Sequence, residues 1–249
     1  MKRVVPCLLI LLMAFDVIAA GSRRPKPSFS FASNFAIVPS MANVPGLFGA
    51  VWKTKVELFN PTPSDFSIQA TLYDKTGQLQ QKTINLSAGQ LKTYQNFLSD
   101  VFGFSGAGAV KFDSGSDQNQ FVLNAEVYTD TAHGRYITPV PGLPYDASNS
   151  KSYSLGVSVD ANNRTNIGAL NDSSSANTIT AELYDSSGSL VTTLTLTLAP
   201  NAWNQIAVPN DVSGGFIEFT PTLPAFCYAV VVNNVSNDGD FIPAAEVSE

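Results

Sequence analysis

The chain has 249 residues, a formal net charge of −6, 14% charged side chains and 44% hydrophobic ones. Charge this sparse, against about 25% in an average soluble protein, together with 10% aromatics, excludes a disordered chain that has too little apolar surface to bury. The acidic balance, with Arg23, Arg24 and Lys26 as its single basic cluster, excludes a nucleic-acid binder, which needs a basic face.

The length suits one large domain or two ordinary ones. At the N-terminus Lys2 and Arg3 precede an apolar run from Val4 to Ala14, and Ala19 and Ala20 offer small residues for cleavage. This pattern predicts a signal peptide over residues 1–20; the apolar run is short for a bilayer span and Asp16 interrupts it. Residues 21–34 follow as a flexible basic linker threaded by Pro25 and Pro27. Cleavage would remove Cys7 and leave Cys227 alone, so packing, with no internal disulfide, has to stabilise an exported chain. No later apolar stretch is long enough for a transmembrane segment. The expected location is secreted, periplasmic or at the cell surface.

From there the chain repeats itself. Residues 52–79 align without a gap on 163–190: Lys53-Thr54 on Arg164-Thr165, Asn60 on Asn171, and Ile68, Ala70, Leu72, Tyr73, Asp74, Gly77 and Leu79 on Ile179, Ala181, Leu183, Tyr184, Asp185, Gly188 and Leu190. Gly108–Phe112 parallels Gly215–Phe219, Ala125–Val127 parallels Ala229–Val231, and both copies end alike at Gly134–Pro139 and Gly239–Pro243. Matches in one order over so long a stretch indicate duplication. The expected units are residues 35–143 and 150–249, joined by a stiff connector holding Pro139, Pro141 and Pro144.

Within each copy the period is two. Ile179, Ala181 and Leu183 alternate with Thr180, Glu182 and Tyr184, as do Leu194, Leu196 and Leu198 with Thr193, Thr195 and Thr197. Asp74–Gly77 and Asp185–Gly188 have the composition of type I turns between such strands. One segment breaks the alternation: Leu98, Val101 and Phe102 have helical spacing between a potential cap, Asn96, and a stop, Gly103. The second copy is shorter there. The prediction is an all-β protein of two tandem immunoglobulin-like β-sandwiches, with one short helical turn in the first.

The stretch Pro45-Gly46, Gly49, Trp52-Lys-Thr54 and Leu58-Phe-Asn-Pro61 resembles a repeated motif of secreted bacterial proteins of unknown function that carry tandem immunoglobulin-like or fibronectin-like sandwiches. The second copy departs from it, with Asn163 in place of Trp52 and Asp172 in place of Pro61. The resemblance implies a fold and an extracytoplasmic location and brings no catalytic or binding residues.

No residues assemble into a recognisable catalytic set, and none implies a cofactor. His133 stands beside Gly134 in a loop, and Cys227 lies in an apolar strand pattern, where a thiol behaves as a small hydrophobe. Glu57, Glu126, Glu182 and Glu218 alternate with core positions and should point outward; a carboxylate pair among them would be what a hydrolase requires. Asp113, Asp117 and Asn119 place oxygens at alternate positions, as a calcium loop does, but without its glycine and terminal glutamate. Tyr73 and Tyr184 fall on the solvent phase of their strands and are the candidate ligand-binding residues. The expected function is therefore non-enzymatic: a structural or adhesive module meeting a protein at a surface, matrix or envelope. A carbohydrate-binding module meeting a polysaccharide is the alternative, and a carboxylate-dependent hydrolase comes last.

Overall fold

The computed structural model describes residues 32–131 and 134–246, except the side chain of Phe48. The expected signal peptide, most of the linker and His133 lie outside them. The first half runs through β1 (Phe35–Pro45), β2 (Val51–Phe59), β3 (Phe66–Tyr73), β4 (Leu79–Leu86), β5 (Leu91–Tyr94), the helix α1 (Phe97–Phe102), β6 (Gly106–Asp113), β7 (Val122–Thr131) and β8 (Gly134–Pro139). The second continues through β9 (Ser152–Val159), β10 (Asn163–Leu170), β11 (Asn177–Tyr184), β12 (Leu190–Leu198), β13 (Trp203–Ala207), β14 (Val212–Pro221), β15 (Phe226–Asn233) and β16 (Gly239–Pro243). The protein is all-β and of sandwich type, with antiparallel pairing throughout.

Strand order repeats as the sequence does. The second half forms two 4-stranded sheets, β12-β11-β14-β9 and β13-β10-β15-β16. The first half follows the same order, as β4-β3-β6-β1 and β5-β2-β7-β8, but β1 also pairs with β2 and links both layers into one 8-stranded sheet. β1 is bulged before it reaches β2 at Asn43 to Pro45: its pairing with β6 shifts between Val38 and Met41, where Pro39 cannot donate to a ladder. A buried threonine ties the second strand to the first in each half. Thr54 Oγ1 donates to the Ala42 carbonyl at 3.1 Å, and Thr165 Oγ1 to that of Ser158 at 2.6 Å.

Each half fills its own sandwich with the alternating residues, Ile68, Ala70 and Leu72 in the first and Ile179, Ala181 and Leu183 in the second. The Asp–Gly turns form as expected: Asp74 accepts from the Thr76 N–H at 2.8 Å and Asp185 from that of Ser187 at 2.8 Å, while Gly77 and Gly188 take φ of 79° and 83°. Helix α1 also forms, with Gly103 closing it in the left-handed region at φ 63°. Asn96 does not cap it. Its amide donates instead to Asn43 Oδ1 at 2.9 Å, and Asp100 reaches back to accept the Asn96 N–H at 3.0 Å.

The halves bury surface against each other. Ile37, Tyr73 and Ala109 on the outer face of β1, β3 and β6 meet Leu170, Trp203 and Phe226 of β10, β13 and β15. Tyr228 and Phe241 of the second half enter the apolar core of the first. The connector is tied at both ends: Leu143 exchanges backbone hydrogen bonds with Ile37 at 2.7 and 2.8 Å, and Asn149 with Ala225 at 3.1 Å.

Candidate functional site

The outer face of the sheet β12-β11-β14-β9 is built by register. Leu190 stands opposite Tyr184, Tyr184 opposite Phe216, and Phe216 opposite Leu155, so one apolar row crosses all four strands. Its ends are open to solvent, with Leu190 at 54% and Leu155 at 65% exposure. In the middle the rings of Tyr184 and Phe216 stack with centroids 5.0 Å apart and planes within 10°.

The next row is polar and runs Thr193, Glu182, Glu218, Tyr153. Like charges directly opposite one another are unfavourable, and each carboxylate here has a separate partner. Tyr184 Oη donates to Glu182 Oε2 at 3.0 Å, which pushes the Tyr184 hydroxyl above its usual pKa. Lys151 Nζ lies 2.8 Å from Glu218 Oε1 and 5.8 Å from the centre of the Tyr153 ring. Burial works to raise the Glu218 pKa, but Lys151 and Tyr153 outweigh it and hold the carboxyl below the usual range. Threonines continue the face, with Thr195, Thr180 and Thr220 in the third row.

Tyr73, the repeat mate of Tyr184, is elsewhere. It is 3% exposed, and burial pushes its hydroxyl above the usual pKa. The expectation that it faces solvent is corrected. Alternation does put it on the outer face of its sheet, but the second half covers that face. The structure therefore does not bring the two tyrosines together.

Glu57 and Glu126 share Lys55, at 2.9 and 3.8 Å. Lys55, then Asn124, hold the Glu57 carboxyl below its usual value, opposite to the raised pKa a general acid needs. Asp113 accepts the Gly115 N–H at 2.7 Å, Asp117 accepts from Asn34 Nδ2 at 2.7 Å, and the Asn119 N–H donates to the Ser116 carbonyl at 3.0 Å. Those residues close a polar loop that carries the chain from β6 to β7, strands that do not pair with each other. Among the described residues no group of three or more His, Cys, Asp or Glu is placed to hold a metal ion. Cys227 is buried, and desolvation pushes its thiol up to about 12, which leaves little thiolate at neutral pH.

A cleft of about 300 Å³ lies between the halves, lined by Met41, Trp52, Val140, Val230, Phe241 and Arg164 among others. The Arg164 guanidinium is engaged by the β15–β16 loop, donating to Asn234 Oδ1 at 3.1 Å and Asn237 Oδ1 at 2.9 Å. With its cation committed to this loop, the cleft reads as a seam between the halves.

Phe216, Leu155 and Leu190 are the surface residues that sequence reasoning missed. Ile217 and Phe219 point inward, so alternation already puts Phe216 outside. That it stacks on Tyr184 depends on the pairing of β11 with β14, which period alone does not specify.

No helix among the described residues is long and apolar enough to cross a membrane. No protein-family model matches the chain, and no curated protein sequence matches it. Among solved structures, a β-glucuronidase of Bacteroides uniformis aligns with 78% of this chain at 14% identity and a TM-score of 0.17. A calcium-binding mutant of β-glucuronidase 2 from the same organism aligns at 15% identity and a TM-score of 0.16. The chain spans 24% of the length of these enzymes, and scores this low carry no argument about fold or activity.

Proposed function

We propose that the protein is a non-enzymatic extracytoplasmic module, built as two tandem immunoglobulin-like sandwiches, that binds a protein partner at a surface, matrix or envelope. The observation that carries this reading is the row Leu190–Tyr184–Phe216–Leu155, an apolar stripe with open ends on a sheet face whose other rows are polar. A central aromatic anchor inside a polar rim is how protein interfaces concentrate their energy. Export is supported by the pattern from Lys2 to Ala20. The absence of catalysis is supported by carboxylates paired with lysines and by a buried thiol.

The purified protein should be retained by the envelope or matrix fraction of its host. Tyr184→Ala combined with Leu155→Ser should weaken retention about tenfold or more, as loss of an interface anchor does. Unchanged retention overturns the reading. A second reading, carbohydrate binding, is favoured by the stacked Tyr184–Phe216 pair beside Glu182 and Glu218, since sugars use aromatic faces and carboxylates together. Retention on insoluble polysaccharide that disappears in Tyr184→Ala would select it.

A further inference from the structure

An unpaired strand edge is a template for another chain, and proteins blunt such edges with charge, proline, bulges, shortness or cover. Every strand that ends a sheet here is blunted along its run by one of these devices, except one that has only a bulge at its start. β4 has exposed Lys82 at its centre, and β5 is 4 residues long with Lys92. β8 carries Arg135 and ends at Pro139, while β16 has 5 residues with Asp240 and ends at Pro243. β9 is bent at Gly156, with φ 80°, and Tyr153 exchanges backbone hydrogen bonds of 2.9 Å with Ala245. β13 has 5 residues, and the N–H of Trp203 donates to the Asp74 carbonyl of the other half at 2.9 Å.

β12 is the exception. It has 9 residues, Leu-Val-Thr-Thr-Leu-Thr-Leu-Thr-Leu, with no charge, glycine or proline. Its bulge, at Val191, is confined to its start, and Thr192 to Leu198 pair regularly with β11. Among the described residues nothing pairs with its other edge. Its counterpart in the first half is β4, the lysine-bearing strand, so the two copies differ at one edge in the property that decides whether strands can meet.

We propose that the free edge of β12 pairs antiparallel with β12 of a second copy, about a two-fold axis through Thr195. The sequence is self-complementary in that register from Thr193 to Thr197. Thr195 opposes itself, Thr193 opposes Thr197 and Leu194 opposes Leu196, so threonines meet threonines on the outer face and leucines meet on the inner. Such pairs are favourable in sheets. A second copy is the occupant this edge fits because a charge-free strand meets no repulsion from its own image, whereas β4 would set Lys82 near its mate. An axis perpendicular to the sheet also puts both outer faces on one side, joining the two 4-stranded sheets and presenting two copies of the Tyr184 row together. The pairing does not depend on what that row binds.

Sedimentation equilibrium of the protein should show a concentration-dependent dimer. Thr195→Lys places two lysines face to face and should raise the dimer dissociation constant about tenfold or more, with a smaller effect at high salt. Thr195→Glu should do the same, and an equimolar mixture of the two variants should restore the dimer. Thr195 is exposed, so both variants should keep the wild-type circular dichroism, and the mixture separates edge pairing from misfolding. A wild-type protein that stays monomeric, a dimer indifferent to Thr195→Lys, or a mixture that stays dissociated overturns the proposal.

Discussion

Asn60 and Asn171 are fully buried, and a buried amide has to satisfy both its nitrogen and its oxygen. Asn60 Nδ2 donates to the carbonyls of Ser64, Leu86 and Ser87 at 2.8, 3.2 and 3.1 Å, and its Oδ1 accepts from the N–H and hydroxyl of Thr62 at 2.8 and 2.7 Å. Asn171 repeats the pattern with Ser175 and Ala199, both at 2.8 Å, and with the Ser173 N–H at 3.3 Å. Each side chain ties the connection leaving its strand to the turn after the next hairpin. Neither alanine nor leucine can supply these donors, so the carbonyls would be left unpaired. Asn171→Ala should therefore cost about 3 kcal/mol in urea unfolding, within the range for stranded buried polar groups. Asn171→Asp is the sharper variant, because its carboxylate keeps the shape and loses both donors. Its burial raises its pKa in the folded state, so its deficit against wild type should be largest at neutral pH and shrink as the pH falls and the carboxyl protonates. A deficit independent of pH would mean that donation is not what the amide contributes.

At the scale of elements, the pairing of β10 with β15 shows how one small residue makes room for a large one. Gly168 stands opposite Tyr228, and a Cβ on Gly168 would overlap the Tyr228 ring. The ring has no easy retreat, since Tyr228 Oη donates to Gln205 Oε1 at 3.0 Å and accepts from Trp203 Nε1 at 3.1 Å. Gly168→Ala should cost about 1–3 kcal/mol as an overpacked site, and most of that penalty should vanish when Tyr228 is already leucine, a coupling that a double-mutant cycle measures. Additive costs would place the strain in the strand itself. This pair also marks where the sequence stops being legible. Alternation, the Asp–Gly turns and helix α1 follow from local chemistry, and all can be read in residues such as Ile179–Gly188 and Phe97–Gly103. The partner of Gly168 is a residue near the far end of the chain, and no local rule selects it. The cap expected of Asn96 fails for the same reason: the residue has the right type and place, but its Nδ2 is held by Asn43 of another strand, and its Oδ1 accepts no helix N–H.

For the whole molecule, the decisive contact is Trp203. Its indole N–H is shared between the Pro39 carbonyl at 2.8 Å and Tyr228 Oη at 3.1 Å, so a residue of the second half closes the bulge of β1 in the first. The same seam explains the fate of the candidate site. Tyr73 and Tyr184 are equivalent in sequence and in strand position, yet one is buried by the neighbouring half and the other remains on an open face. Duplication could be read from the chain, whereas the way the copies pack on each other depends on surface complementarity that no repeat pattern encodes. Since Tyr228 and Phe241 also complete the first half's core, the halves should unfold together. Calorimetry should give one transition with equal calorimetric and van't Hoff enthalpies. Trp203→Ala removes a buried ring, worth about 3–5 kcal/mol, and strands the Pro39 carbonyl. If the seam is what couples the halves, this variant should separate into two transitions with the summed enthalpy little changed. A single, merely lowered transition would show that Tyr228 and Phe241 suffice to hold the halves as one unit. Two transitions already in the wild type would show that the seam, for all its burial, does not couple them.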